Sequence, residues 1–368
     1  ELGSAASVGT LSGLGTKYLG FSNITVDPGA GWVLSGDNTL AGGVTLTDLG
    51  TLTNTGSLSG AGTLIVDPAT LLNSGSIGLG VTLAGGGTLN NQTGGAITAA
   101  GIAVSATGGG ATIVNSGTIT GTGGTAVQFG AGDDTLIVKP GAVFAGAVSG
   151  GGGTNTIIQG ASGTLKVTGF SGFETIRLAN GGADSLTLTG SNFTGVGGHV
   201  ITVFDGNSGN SVTASALPSA DVIVVHAGIG ADKLRGGAGS DTFYAGGKTT
   251  MTGGAGANHF TFAHIGTNVV TDFGASAKNE LVLRKSGFNL GADESLATGT
   301  PKHLATSVFV ANSTGTFTTT AQRFAYNKTT GRLSYSAHGS GSAATTVVTL
   351  TGHPSLSAGA TGDLFFTS

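Results

Sequence analysis

Residues 227–262 read AGIGADKLRGGAGSDTFYAGGKTTMTGGAGANHFTF and divide into units of about nine. Each full unit is a variant of Gly-Gly-x-Gly-x-Asp-x-U-x, in which U is apolar, and one shortened unit lies between the second and the last. The glycines allow tight turns, and the residues that follow them form a very short strand. The pattern therefore predicts a parallel β-roll in which each unit is half a coil. The inward apolar residues are predicted to be Leu234, Phe243, Met251 and Phe260.

The turns of this roll are candidate calcium sites, because Ca²⁺ binds about 6–8 carboxylate and carbonyl oxygens. Units on the same side of a roll are two repeats apart. Asp232 is therefore predicted to stack on the turn that ends at Thr250, and Asp241 on the turn that ends at Asn258. The alternative is a loop whose aspartates only form Asx-turns. The predicted ligand-bearing positions are Gly228, Gly230, Asp232, Gly237, Gly239, Asp241, Thr250, Gly254, Gly256 and Asn258.

These nonapeptides resemble the RTX (repeats-in-toxin) family of Gram-negative bacteria. The resemblance implies Ca²⁺ as cofactor, export by a type I secretion ABC transporter, and a secreted or cell-surface location. Three further turns have a similar pattern, at residues 129–137, 150–158 and 179–187. Each stands alone without an obvious partner two units away, so a plain structural turn is the preferred interpretation there. Their acidic residues Asp133, Asp134 and Asp184 are nevertheless kept as candidate ligands, with Asp133 and Asp134 the best of them.

A second repeat precedes the nonapeptides and contains Asn54, Asn73, Asn91 and Asn115 at similar positions. The spacing is that of one coil of a parallel β-helix, with Leu or Ile inward and Thr or Ser outward. Asparagines at one corner of successive coils are predicted to form a hydrogen-bonded ladder. The pattern resembles autotransporter-passenger rods of bacterial surface proteins and secreted β-helices that act on polysaccharides.

The end of the chain predicts a hairpin over residues 322–335 and a third strand over 346–350. With the ending at 363–366, this region resembles the terminal domain of type I secreted RTX proteins. That family carries an acidic loop where this chain has Ser336, Ala337 and His338. A short helical turn is predicted at 292–296.

The composition suits a solenoid and excludes several classes of protein. Gly accounts for 72 of 368 residues, only 9% of residues are charged, and there is no Cys. The net charge of −4 has no basic stripe behind it, so no nucleic-acid interface is expected. No apolar run reaches the ~20 residues of a membrane span, and no N-terminal signal is evident, as expected for type I export.

The predicted fold class is all-β, a right-handed parallel β-helix/β-roll solenoid with a small C-terminal β-rich secretion domain. The predicted domains are a cap with first coils (1–48), a parallel β-helix (49–226), the calcium-binding roll (227–273) and the secretion domain (274–368).

The expected function is that of a non-enzymatic extracellular structural protein that folds with Ca²⁺ and assembles on itself as a surface layer, filament or matrix. Thr and Ser surfaces can pack laterally without the desolvation penalty of charges. A cell-surface polysaccharide is a further possible partner. The alternatives are an RTX adhesin and a β-helical polysaccharide lyase or epimerase. Neither an H-E-x-x-H nor a G-x-S-x-G motif is present. Arg177, His199 and Asp205 are scattered, and a groove lined by three or more ionisable groups would favour the enzyme.

Overall fold

The computed structural model describes residues 1–5, 7–276, 278–288 and 302–367, and the backbone of 297–298. The described residues form an all-β parallel β-solenoid, which confirms the predicted fold class. The chain divides into two compact units. Unit 1 comprises Glu1–Ala161, Thr168–Ile176 and Ser191–Gly197, and unit 2 comprises Ser162–Val167, Arg177–Gly190 and Gly198–Ser368. The helical turn predicted at 292–296 lies outside the described residues.

Unit 1 has three parallel ladders, one for each face of its coils. The first ladder contains β1 (Gly9–Leu11), β3 (Gly31–Leu34), β6 (Thr51–Asn54), β9 (Thr70–Asn73), β12 (Thr88–Asn91), β15 (Thr112–Asn115), β17 (Thr135–Val138) and β19 (Thr156–Gln159). The second contains β4 (Asp37–Leu40), β7 (Ser57–Gly60), β10 (Ser76–Ile77), β13 (Ala96–Ala99) and the first parts of β16 (Thr118–Gln128) and β18 (Val143–Ser149). The third contains β2 (Asn23–Val26), β5 (Thr45–Asp48), β8 (Thr63–Val66), β11 (Val81–Ala84), β14 (Val104–Thr107), the last parts of β16 and β18, and β21 (Phe170–Ser171).

Unit 2 has two main parallel ladders, the arrangement predicted for the roll at 227–273, and their first strands precede that segment. Ladder A contains β20 (Thr164–Leu165), β23 (Ser185–Thr187), β25 (Ser211–Thr213), β27 (Lys233–Arg235), β29 (Thr250–Thr252), β31 (Asn268–Val270) and β38 (Thr345–Leu350). Ladder B contains β24 (Val200–Phe204), β26 (Val222–His226), β28 (Thr242–Ala245), β30 (His259–Phe262), β32 (Glu280–Arg284) and β39 (Leu364–Thr367). A further strand, β22 (Thr175–Arg177), has residues of both units.

The C-terminal strands extend both ladders of unit 2. The predicted hairpin is confirmed as an antiparallel pair, and the predicted third strand pairs with it and with β31. The remaining strands are β33 (Ala297–Thr298), β34 (His303–Leu304), β35 (Phe309–Asn312), β36 (Phe324–Asn327) and β37 (Arg332–Tyr335). The described 3₁₀ turns are Gly190–Phe193, Gly197–His199, Phe273–Ala275, Lys285–Phe288 and Thr306–Val308.

The core of each unit is filled from alternate strand positions. The four apolar residues predicted to point inward in the nonapeptides are 0–2% exposed. In unit 1 the predicted asparagine ladder is confirmed. Each Asn Nδ2 donates to Oδ1 of the next, at 2.8 Å from Asn54 to Asn73, 2.8 Å from Asn73 to Asn91 and 2.9 Å from Asn91 to Asn115. The ladder satisfies polar groups that are buried at one corner of four successive coils.

Candidate functional site

The turns of unit 2 stack in two columns, because same-side units are hydrogen-bonded neighbours. We name column A the turns 179–184, 205–210, 227–232 and 245–249, and column B the turns 217–221, 236–241 and 253–258. A Cβ on any of the predicted turn glycines would meet the turn above or below. These glycines are Gly228, Gly230, Gly237, Gly239, Gly254 and Gly256. The glycines are therefore required by close backbone stacking, which holds with or without an ion.

In column A, side-chain oxygens accept backbone N–H groups from the preceding turn. Oδ1 of Asp184 accepts from Gly163 at 2.6 Å, Oδ1 of Asn210 accepts from Asp184 at 2.7 Å, and Oδ1 of Asp232 accepts from Asn210 at 3.0 Å. Asp232 is 1% exposed, and its Oδ2 has no hydrogen-bond partner. Column A therefore presents a buried carboxylate oxygen that the protein itself does not satisfy.

Column B has the same kind of hydrogen bond between turns, but both oxygens of its carboxylate, that of Asp241, accept an N–H group. Oδ1 of Asp241 accepts from Ile223 at 2.9 Å, and Oδ2 accepts from Gly237 at 2.8 Å. The N–H of Asp241 donates to Oδ1 of Asn258 at 2.9 Å, so these two residues stack as predicted. Both oxygens of Asp241 already accept hydrogen bonds, but the donors are Ile223 of β26 and Gly237 four residues earlier, so neither bond is that of an Asx-turn.

The residue opposite Asp232 on the next turn is Thr249, one position before Thr250. Register pairs Thr250 with Lys233 on the strands, which places Thr249 at the corner. The N–H of Thr249 donates to Oδ1 of Asn268 at 3.0 Å, which continues the column. Thr250 is a strand residue beside the turn.

The turns treated as isolated in the sequence are stacked in the structure. In unit 1, Oδ1 of Asp134 accepts from Ala111 at 2.6 Å, and Oδ1 of Asn155 accepts from Asp134 at 3.0 Å. Oε2 of Glu174 then accepts from Asn155 at 2.7 Å. Asp134 is 1% exposed with an unpaired Oδ2, whereas the neighbouring Asp133 is exposed. In unit 2, Asp184 belongs to column A. Strand pairing supplies these partners, which the sequence pattern does not show.

Asp205 is the functional candidate that sequence reasoning did not identify as a ligand. It begins the turn 205–210, is 8% exposed, and neither of its carboxylate oxygens has a hydrogen-bond partner. The signal was present in the sequence DGNSGNSVT at 205–213, a degenerate nonapeptide with Asp at its first position and Asn210 at its sixth.

Burial raises the pKa values of these carboxyl groups, because desolvation disfavours the charged form. The pKa of Asp205 rises to about 7, through burial and then through the charge of Asp232. Burial raises the pKa of Asp241 to about 6, although the hydrogen bonds from the N–H groups of Ile223 and Gly237 lower it. The pKa values of Asp134 and Asp232 also rise through burial. The turns thus hold carboxylates whose charge the protein alone does not balance.

The fit of these residues to calcium differs from turn to turn. Asp134, Asp205 and Asp232 offer unpaired buried oxygens, which suit a hard cation. In the described part of the chain, no group of three or more His, Cys, Asp or Glu side chains is arranged to hold a metal ion. An ion at these turns would therefore need backbone carbonyl and amide oxygens in addition to one or two carboxylates.

A second candidate feature is a groove on the outer face of ladder B. Its polar lining residues are Thr242, Tyr244, His259, Thr261, Glu280, Arg284 and Thr367. His259 Nε2 lies 3.1 Å from Glu280 Oε2, and the Arg284 guanidinium lies 5.4 Å from the centre of the Tyr244 ring. Beside the groove, His226 stacks between Phe204 and Tyr244, with ring centroids 4.9 and 4.3 Å away. This face concentrates ionisable and aromatic groups.

The scattered residues considered as an enzyme site have separate partners. Arg177 packs over the Phe204 ring at 4.2 Å, and His199 Nδ1 lies 2.8 Å from Asp221 Oδ1. Asp205 instead faces column A. Among the described residues, no helix is long and apolar enough to cross a membrane. No protein-family model, curated protein or solved structure matches the chain.

Proposed function

We propose that this chain is an RTX-type extracellular structural protein that folds with Ca²⁺ and assembles on itself at a Gram-negative cell surface. The observation that supports the proposal is the set of buried turn carboxylates with unpaired oxygens, above all Asp232. When calcium is scarce, these charges oppose folding because no cation compensates their desolvation. When calcium is abundant, each bound ion at ten times its Kd stabilises the folded state by about 1.4 kcal/mol.

Self-assembly as a surface layer, filament or matrix is supported by the nearly uncharged exterior of the strands. Only 9% of the residues are charged, and outward strand positions in unit 1 are mostly Thr and Ser. Such a surface packs laterally at little desolvation cost. Export through a type I ABC transporter is consistent with calcium-dependent folding, since the chain is exported first and folds only after it reaches calcium.

The experiment is a calcium titration of the chelator-treated full chain. We expect the β-sheet circular dichroism signal and the melting temperature to rise with Ca²⁺ and not with equal Mg²⁺. Electron microscopy of the same samples should show sheets or fibres with Ca²⁺ that disappear with chelator. A melting temperature that is indifferent to Ca²⁺ would contradict the proposal.

A second candidate function is binding or processing of an acidic polysaccharide, as in an adhesin or a β-helical lyase or epimerase. The groove on ladder B favours it, because His259, Glu280 and Arg284 meet there beside Tyr244. A guanidinium matches a sugar carboxylate, and a His–Glu pair is able to move a proton.

The test is binding and depolymerisation of uronate polymers by the wild type and by Arg284→Ala. The matched control is Arg235→Ala, which removes an exposed Arg from ladder A. Loss of binding only in Arg284→Ala supports this candidate. Equal binding by both variants, or none by the wild type, rejects it.

A further inference from the structure

Asp205 is placed against the turn that Asp232 closes. Its N–H donates to the carbonyl of His226 at 2.9 Å, so the turn 205–210 begins beside the turn 227–232. Asn210 closes the first turn, and its N–H donates to Oδ1 of Asp232. Its side-chain Nδ2 donates to Gly206 O at 3.1 Å, and the Asn210 side chain partly offsets the rise in the pKa of Asp205. Strand pairing and turn stacking thus bring two carboxylates from different coils together.

The two carboxyl groups influence each other, because beyond the effect of burial the charge of Asp232, and after it that of Asp184, raises the pKa of Asp205. Three of their four oxygens, both of Asp205 and Oδ2 of Asp232, have no N–H or O–H partner. Two ionised carboxylates only accept hydrogen bonds, so they do not satisfy each other. Leaving both buried and charged without a compensating partner is strongly unfavourable. A proton or a cation is therefore required between them.

Cationic side chains do not fill this role among the described residues. In the described part of the chain, no cationic group is among the causes that shift the pKa of Asp205, and the ion pairs of His199 with Asp221 and of His259 with Glu280 lie elsewhere. The nearest long cations in sequence, Lys233 and Arg235, are exposed strand residues of ladder A. The compensating charge must come from outside the chain or from a shared proton.

We propose that Asp205 and Asp232 together bind one divalent cation, Ca²⁺, inside column A. Two carboxylates balance a charge of +2, and backbone carbonyls of the two turns supply further oxygens. The site is built on a carboxylate at the first position of a unit, where the nine-residue pattern has Gly. This site rests on the proposed calcium-dependent folding, and its two turns are the pair that binds calcium most tightly. Column B offers a cation fewer free oxygens, since Asp241 has no unpaired oxygen.

The test is isothermal titration of Ca²⁺ into the chelator-treated full chain at pH 7.5, for the wild type, Asp205→Asn and Asp241→Asn. Asn is nearly isosteric and removes repulsion, so Asp205→Asn should fold without metal, which circular dichroism checks. We expect the tightest wild-type site to weaken at least tenfold in Asp205→Asn and to persist in Asp241→Asn.

Two results would overturn this site. If Asp205→Asn binds calcium as the wild type does, the inference fails while calcium-dependent folding stands. If the wild type binds no calcium and Asp205→Asn is simply more stable at pH 7.5, the pair shares a proton and both proposals fall. Asp232→Asn, which keeps an Oδ1 acceptor for Asn210, should reproduce the effect of Asp205→Asn.

Discussion

At one corner of four successive coils in unit 1, a buried asparagine is hydrogen-bonded to the asparagine of the next coil. Asn91 is 0% exposed, accepts from Asn73 and donates to Asn115. It also donates to Thr118 O at 3.2 Å. A side chain with one acceptor and two donors is needed for this ladder, and Asn supplies them at the length that spans one coil.

Replacing Asn91 with Ala should lower the free energy of unfolding by about 2–4 kcal/mol, because partners on both sides lose a buried hydrogen bond. The matched control is Asn90→Ala, one residue earlier on β12 and facing outward. It should change stability by less than about 0.5 kcal/mol. Urea unfolding of both variants measures the difference, and equal effects would contradict the role of the ladder.

A second residue-scale feature is Asp48, which occupies an inward position between Val26 and Val66. It is 0% exposed, its Oδ1 accepts from Gly50 N–H at 3.0 Å, and its Oδ2 has no partner. Burial raises the pKa of Asp48 to about 6, although the backbone N–H groups of Gly50 and Leu52 lower it. A raised folded-state pKa means that stability is present at acid pH and is lost as pH rises toward 6.

Asp48→Asn should therefore be more stable than the wild type at pH 7.5, by about 2–3 kcal/mol, and nearly equal to it near pH 4. Oδ1 of the new Asn still accepts from Gly50. The control is Asp37→Asn, an exposed Asp of the same unit, which should change stability at pH 7.5 by less than about 0.5 kcal/mol. Urea unfolding with chelator at both pH values provides the comparison. A destabilised Asp48→Asn at pH 7.5 would refute the assignment.

At the scale of elements, the turns of unit 2 are set by how closely they stack. Gly256 has φ +81°, and a Cβ there would meet the carbonyl of Gly239 in the preceding turn of column B. Gly341 has a similar φ of +82° but open space around it. The two glycines separate the cost of backbone conformation from the cost of stacking.

Gly341→Ala should cost about 1 kcal/mol for the left-handed backbone alone. Gly256→Ala should cost that amount plus roughly 1–3 kcal/mol for overpacking against the adjacent turn. Thermal unfolding of the two variants, with chelator so that metal does not contribute, gives both values. If Gly256→Ala is no worse than Gly341→Ala, the turns are not stacked as described.

For the whole molecule, Asp48 apart, the described carboxylates singled out for unpaired oxygens belong to nonapeptide-like turns. Asp205 and Asp232 are in unit 2, while Asp134 is the one nonapeptide-like turn of unit 1 with such an oxygen. Coils of unit 1 from β6 to β12 are closed by the asparagine ladder, which needs no ion.

Calcium should accordingly raise hydrogen-exchange protection in the turns 205–210 and 227–232 and leave β6–β12 unchanged. Mass spectrometry of the full chain with Ca²⁺, with Mg²⁺ and with chelator tests this expectation. Protection that increases equally in β6–β12 would argue against ion binding in column A.

Much of the fold was predictable from single residues and their spacing. The inward Leu234 and Phe243, the asparagine ladder and the C-terminal hairpin follow from local rules: alternation along a strand, one corner residue per coil, and a turn of Asn and Gly. These rules act within a few residues or at a nearly constant coil length.

Only the tertiary structure showed which turns are partners and which oxygens remain unpaired. Asp184 and Asn210 are 26 residues apart, Asn210 and Asp232 are 22, and Asp241 and Asn258 are 17. Because these intervals vary, strand pairing across whole coils, rather than the nonapeptide pattern, decides that Asp205 lies against Asp232. The sequence by itself determined that the chain would coil and where it would turn. Packing between coils determined which carboxylates are buried without a partner, because burial and hydrogen bonding there depend on residues about 20 positions away.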